Sequence, residues 1–162
     1  MNATTATIYL SEHFTLDEAT HSTTALRLGI DNTQVIPEII SNTKITAVKM
    51  EKVRVILGEP IHIDSWIRSL QLNQALGSKD NSKHLLGFAV DFICPTFGTP
   101  ETICKMLISY ADLLRFDQLI FEHTWVHIGF CSPDTKSRGQ VLTLLQDGTY
   151  AVGLTDKQGK LL

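Results

Sequence analysis

The sequence predicts an α+β fold in which an antiparallel sheet is backed by helices. Three observations carry that reading. Helical apolar spacing dominates the chain up to Leu57. Short β-rich runs dominate it after Leu85. The gaps between those later runs are polar and short, as in hairpins rather than crossovers.

Thr15-Leu16-Asp17-Glu18 reads as a helix start, with Thr15 as cap and Glu18 where a capping box places its carboxylate. Ala19, Ala25 and Leu26 extend that helix to about Leu28, and Gly29 ends it. Pro37 can open a second helical stretch. Ile45, Val48, Val53, Ile56 and Leu57 have helical spacing, and Gly58 with Pro60 stops the run. Ile61-His62-Ile63-Asp64 alternates as a short strand, and Ser69 to Leu76 can form one or two helical turns. Gly77 to Ser82 is a polar loop. Leu85 to Ile93 is β-rich with an interruption at Gly87. Thr99-Pro100-Glu101 opens a helix that runs to about Leu114. Leu119 to Phe121 and Trp125 to Phe130 form one hairpin candidate. Leu142 to Leu145 and Tyr150 to Leu154, joined through Asp147-Gly148, form a second.

At 162 residues the chain fits one domain, 1–162, large enough to bury a core without disulfide or metal staples. A net charge of -3 gives no broad footprint for nucleic acid or an anionic membrane, so neither is expected as a partner. Cys94, Cys104 and Cys131 are odd in number and lack C-x-x-C spacing, which argues against a disulfide framework or a zinc knuckle. Met1 to Leu10 shows no basic stretch followed by an apolar one, and no apolar run approaches ~20 residues. The expectation is therefore a cytoplasmic protein without a membrane span, and no partner protein is evident.

Two segments carry chemistry. In the first, Ser82-Lys83-His84-Leu85-Leu86-Gly87-Phe88-Ala89-Val90-Asp91, the carboxylate of Asp91 falls in an otherwise apolar run. Such a group is costly there unless it is paired or metal-bound. The second is Trp125-Val126-His127. The first segment matches the S-x-H-x-x-G-x-A-x-D motif of the D-alanyl-D-alanine carboxypeptidase-like zinc peptidases, and the second resembles the motif supplying that family's last metal ligand. Ser65-Trp66-Ile67-Arg68-Ser69 resembles the family's S-x-x-R segment. The resemblance spans about residues 14–130, leaving a C-terminal hairpin at about 140–155 outside it, and implies a hedgehog/DD-peptidase-like fold.

The resemblance implies that His84, Asp91 and His127 hold Zn²⁺. Two imidazoles and one carboxylate suit a catalytic zinc, which keeps a fourth position for water and lowers its pKa towards ~7. His84 and Asp91 are seven positions apart, roughly 23 Å if extended. They can share a metal only if the chain folds back, which Gly87 permits. Many relatives carry an acid three positions before the last histidine, where this chain has Thr124. Glu122 is the nearest carboxylate. If His123-Thr124 is a two-residue turn, Glu122 faces Trp125 and is a diagonal neighbour of His127 at roughly 7–8 Å. It is then the candidate general base. On a continuous strand it would be a remote acid.

Arg68 is expected to contact a scissile carbonyl or substrate carboxylate, with a surface ion pair as the alternative. Ser82 either binds substrate or shapes its loop. Trp66 and Trp125 are cleft walls or core, and Trp125 is a candidate substrate contact. His13, His21, His62 and His123 have no partner at ligand spacing. The function implied is zinc-dependent hydrolysis of peptide bonds in bacterial peptidoglycan, of the phage-endolysin type, with a phage-encoded protein held in the host cytoplasm until release. D-Ala–diaminopimelate, D-Ala–D-Ala and L-Ala–D-Glu bonds all fit. Two other readings are a non-catalytic zinc-containing module that binds cell-wall peptides and a non-haem iron oxygenase. The oxygenase reading fits poorly, because facial triads place His and Asp two apart.

Overall fold

Thr15 caps the first helix as its sequence predicts, its hydroxyl accepting from the Glu18 N–H at 3.2 Å. The computed structural model describes residues 6–162; residues 1–5, part of the stretch read for an export signal, lie outside the described residues. The expected helix to Leu28 is two helices, α1 (Leu16–Thr20) and α2 (Thr23–Leu28). The break has a local cause. The Thr20 hydroxyl turns back to the Leu16 and Asp17 carbonyls, and Ser22 caps a new helix by accepting from Ala25 N–H.

Pro37 opens α3 (Pro37–Leu57), and Gly58 ends it in the left-handed region, as the sequence predicts. It buries Thr43, Ala47, Met50, Val53 and Leu57, while Val48 and Val55 are exposed. The buried stripe is thus partly threonine, and apolar spacing alone set the face wrongly at Val48. The Thr43 and Thr46 hydroxyls bond the carbonyls of Ile39 and Asn42, so their burial leaves no orphan.

The rest of the chain is β1 (His62–Ser65), α4 (Leu70–Ala75), a 3₁₀ turn at Lys83–Leu86, β2 (Ala89–Ile93), α5 (Pro100–Ser109), α6 (Ala111–Leu114), β3 (Gln118–Phe121), β4 (Val126–Gly129), β5 (Gln140–Leu144) and β6 (Tyr150–Val152). Six strands form one sheet in the order β1-β2-β4-β3-β5-β6. The architecture is α+β, with a helix-backed sheet, as predicted. Every pairing is antiparallel except β3–β5, which is parallel. That exception follows from connectivity. The chain leaves β4 beside the start of β3, hops over that end through residues 130–139, and enters β5 alongside β3 in the same direction.

The sheet has two unlike faces. Val90, Phe92, Leu119, Phe121, Val126 and Ile128 join Ala47, Met50 and Val53 of α3 and Ile103 and Leu107 of α5 in one apolar cluster. On the other face, directly paired residues form a single row across all six strands: Ser65, Asp91, His127, Ile120, Leu142, Val152. Opposed residues share a face, so this row carries the chemistry. Among the described residues no helix is long and apolar enough to cross a membrane.

Candidate metal centre

His84 sits on the 3₁₀ turn, which also holds Leu85 and Leu86, the first two residues of the run read as β-rich. Ser82 caps that turn, accepting from His84 N–H at 3.4 Å, so here its hydroxyl shapes the loop. Gly87 ends the turn at φ +75°, and an added Cβ would run into the Thr43 hydroxyl of α3. No other residue reverses the chain there without strain. This reversal brings His84 back over Asp91, which β2 presents from the row.

The three predicted residues converge. One ligand atom each from His84, Asp91 and His127 lies within 4.8 Å of the others. Asp91 Oδ1 is 2.7 Å from His127 Nδ1 and 3.3 Å from His84 Nε2. Tetrahedral zinc with bonds of about 2.0–2.1 Å needs ligand atoms roughly 3.3–3.4 Å apart. The His84 pair already meets that spacing, and the His127 pair needs only a small opening. The other His84 nitrogen, Nδ1, donates to the Trp66 carbonyl at 2.7 Å. That bond places the proton on Nδ1 and turns the Nε2 lone pair inward, the usual support of a metal-binding imidazole. The donor set fits zinc.

Electrostatics agree. Burial, above all, depresses the His84 pKa and keeps the imidazole neutral, as ligation requires. Burial opposes charge on Asp91, but its neighbours outweigh this and hold the carboxyl well below the usual range. Those neighbours are His84 and His127, and on the other carboxylate oxygen Arg68 Nη2 is 2.5 Å from Asp91 Oδ2. Arg68 also donates from Nε to Ser65 at 2.9 Å and from Nη1 to Ser78 at 3.3 Å. It is therefore no surface ion pair. Three of its five N–H donors are used, all on protein, which leaves two.

Between β3 and β4 the chain turns at His123-Thr124. Glu122 N–H donates to Trp125 O at 3.2 Å, and Thr124 N–H to Glu122 O at 2.7 Å. The register Phe121↔Val126 thus continues to Glu122 opposite Trp125, on the face of His127. Burial and then the charge of Asp91 raise the Glu122 pKa, while His127, Arg68 and the Trp125 indole N–H pull the other way. The indole Nε1 is buried and faces the Glu122 carboxylate without a well-formed hydrogen bond to it. His123 takes the strained φ of +62° and is pinned 2.8 Å from Leu144 O, turned away from the centre. Trp66 is fully buried, donating to Gly87 O at 3.1 Å, and belongs to the core.

One feature of this region has no clear signal in the sequence. Lys83 Nζ reaches Asp117 at 2.6 Å and the Phe130 carbonyl at 2.9 Å, and Arg138 grips the same buried Asp117 at 2.6 Å. The His84 turn, the start of β3 and the segment after β4 are tied together at one carboxylate. Lys83 is a variable position of the motif, and Asp117 and Arg138 lie far from it in sequence, so spacing could not join them.

Nitrogen and oxygen donors alone, gathered on the solvent side of an α+β sheet beside a carboxylate of raised pKa, have the character of a mononuclear metallohydrolase site. The sequence narrows that class. Residues 12–129 match the Peptidase M15 family, and the chain belongs to it. The D-alanyl-D-alanine carboxypeptidase-like zinc peptidases that the motifs resemble are this family. Among curated proteins no relative matches the chain. The matched segment ends at Gly129, so β5 and β6 lie beyond it while extending the same sheet.

Proposed function

We propose that the protein is a zinc-dependent peptidase acting on the peptide part of bacterial peptidoglycan. The carrying observation is that Glu122 shares one sheet face with the His84–Asp91–His127 cluster, although Thr124 occupies the position where many relatives hold the acid. Zinc, when bound, supplies Lewis acidity and lowers the pKa of water towards neutrality. His84, Asp91 and His127 would hold it, with Arg68 fixing the second oxygen of Asp91. The two remaining Arg68 donors are free to stabilise the developing negative charge of the attacked carbonyl. Glu122 takes a proton from the attacking water and delivers it to the departing nitrogen as the C–N bond breaks. Within this substrate class, the reading extends to a phage-type endolysin.

Mass spectrometry of purified muropeptides incubated with the zinc-loaded protein tests the proposal. The expected result is a pair of products summing to the substrate plus one water, abolished by chelator and by His84→Ala or His127→Ala. Zinc and muropeptide binding without any cleavage would replace this reading with that of a wall-binding module.

A further inference from the structure

One rung along from the metal row lies a second row: Trp125, Glu122, Leu144, Tyr150. The pairings Phe121↔Val126, Phe121↔Thr143 and Leu144↔Tyr150 place these residues side by side on the metal face. Within the metal row Ile120 and Leu142 are 7% and 8% exposed yet lie outside the main apolar cluster, because they point to the opposite face. They form an apolar floor running from the centre toward the β6 edge. Its far end is open, with Tyr150 49% and Val152 79% exposed. None of these β3, β5 and β6 residues other than Glu122 carries a charge. The Tyr150 phenol is near enough to Glu122 and Asp91 for both to raise its pKa, after the larger effect of burial. At the near end the Trp125 indole Nε1 is buried beside the Glu122 carboxylate.

We infer that the β5–β6 hairpin, beyond the family-matched segment, forms a substrate subsite in which Tyr150 positions an extended, uncharged peptide segment on the leaving-nitrogen side of the scissile bond. Glu122 fixes that side, since the group that protonates the departing nitrogen must stand next to the fragment it releases. Three strand spacings separate Trp125 from Tyr150, roughly 14 Å, or about four residues of extended peptide. A face of that length, exposed at its far end, suits a peptide leaving group, and hence endopeptidase cleavage, rather than release of a single amino acid. The Tyr150 O–H, at the exposed end, is the donor for a substrate carbonyl.

This inference rests on the peptidase reading, so its test needs a readout besides turnover. In the Glu122→Gln background, calorimetry would measure binding of a cross-linked muropeptide with and without Tyr150→Ala. The expected loss is about tenfold or more, with Tyr150→Phe in between and Val152→Glu, at the exposed end of the face, also weakened. In the active protein, Tyr150→Ala should raise KM for the cross-linked substrate by a similar factor and leave kcat within about twofold. A substrate with one residue after the bond should be unaffected. Equal binding and equal KM in parent and Tyr150→Ala would overturn the subsite while leaving the peptidase reading intact. Tyr150-dependent binding in a protein that never hydrolyses would overturn the peptidase reading and, with it, the assignment to the leaving-nitrogen side. Absence of any muropeptide binding overturns both.

Discussion

The two ring nitrogens of His84 are held apart in role: Nδ1 donates to the Trp66 carbonyl, and Nε2 turns toward Asp91. Arg68 does the corresponding work for Asp91, binding Oδ2 while Oδ1 faces the histidines. It thus orients a ligand beside the oxyanion role proposed for it, and the S-x-x-R spacing did not disclose the first. Arg68→Ala should lower kcat by roughly 10²–10³, as loss of one oxyanion donor does. It should also weaken zinc about 10–100-fold through loss of the outer-shell bond to Asp91. Arg68→Lys should restore little of either, because an ammonium cannot reproduce the planar fork. Zinc titration beside steady-state kinetics separates the two effects, and an unchanged zinc affinity would remove the orienting role. Glu122 offers a second check. Burial and Asp91 raise its pKa, so in the metal-free protein its carboxyl should stay protonated above the ordinary value of about 4.3 and ionise only at higher pH. A ¹³C-detected titration reads this directly, and a midpoint at or below the ordinary value would contradict the burial argument.

Among the elements, the 3₁₀ turn is the one on which the site depends most. Gly87→Ala adds a Cβ at positive φ against the Thr43 hydroxyl and should cost about 1–3 kcal/mol in chemical denaturation. Zinc affinity should fall with it, since the turn carries His84. Asp117 braces the same turn from the other side. Burial opposes its charge, but bonds from Arg138 and Lys83 prevail and hold its pKa far below the usual carboxylate range. A depressed folded pKa gives stability that is present above the unfolded value of about 3.9 and fades as pH falls toward the folded value. Asp117→Asn should therefore lose about 1.5–3 kcal/mol at neutral pH, a charged hydrogen bond's worth. Its deficit relative to the parent should shrink below about pH 4. A deficit independent of pH would mean the brace is packing rather than charge.

Local signals were legible where one residue settles the geometry: Thr15 and Thr99 as caps, Pro37 and Pro100 at helix starts, Gly87 as the reversal, and the turn at His123-Thr124. They failed where side chain and backbone competed. Thr20 and Ser22 broke a helix that apolar spacing carried through, and the threonines of α3 took core positions that spacing gave to Val48.

At the scale of the molecule, the centre is a product of strand order rather than of any one motif. β2 and β4 are neighbours although α5, α6 and β3 separate them in the chain, and that adjacency sets Asp91 directly opposite His127. The hairpin β3–β4 then brings Glu122 to the same face, and β5–β6 prolongs it. The sequence indicated the two hairpins but not the parallel β3–β5 pairing that joins them, because no local pattern specifies which strands meet across a loop. The central claim is that this shared face makes Glu122 the proton carrier of a zinc peptidase. Its most direct test is Glu122→Gln, assayed together for zinc content and muropeptide hydrolysis. The expected result is full zinc occupancy with hydrolysis reduced by roughly 10²–10⁴. A variant as active as the parent would contradict the account.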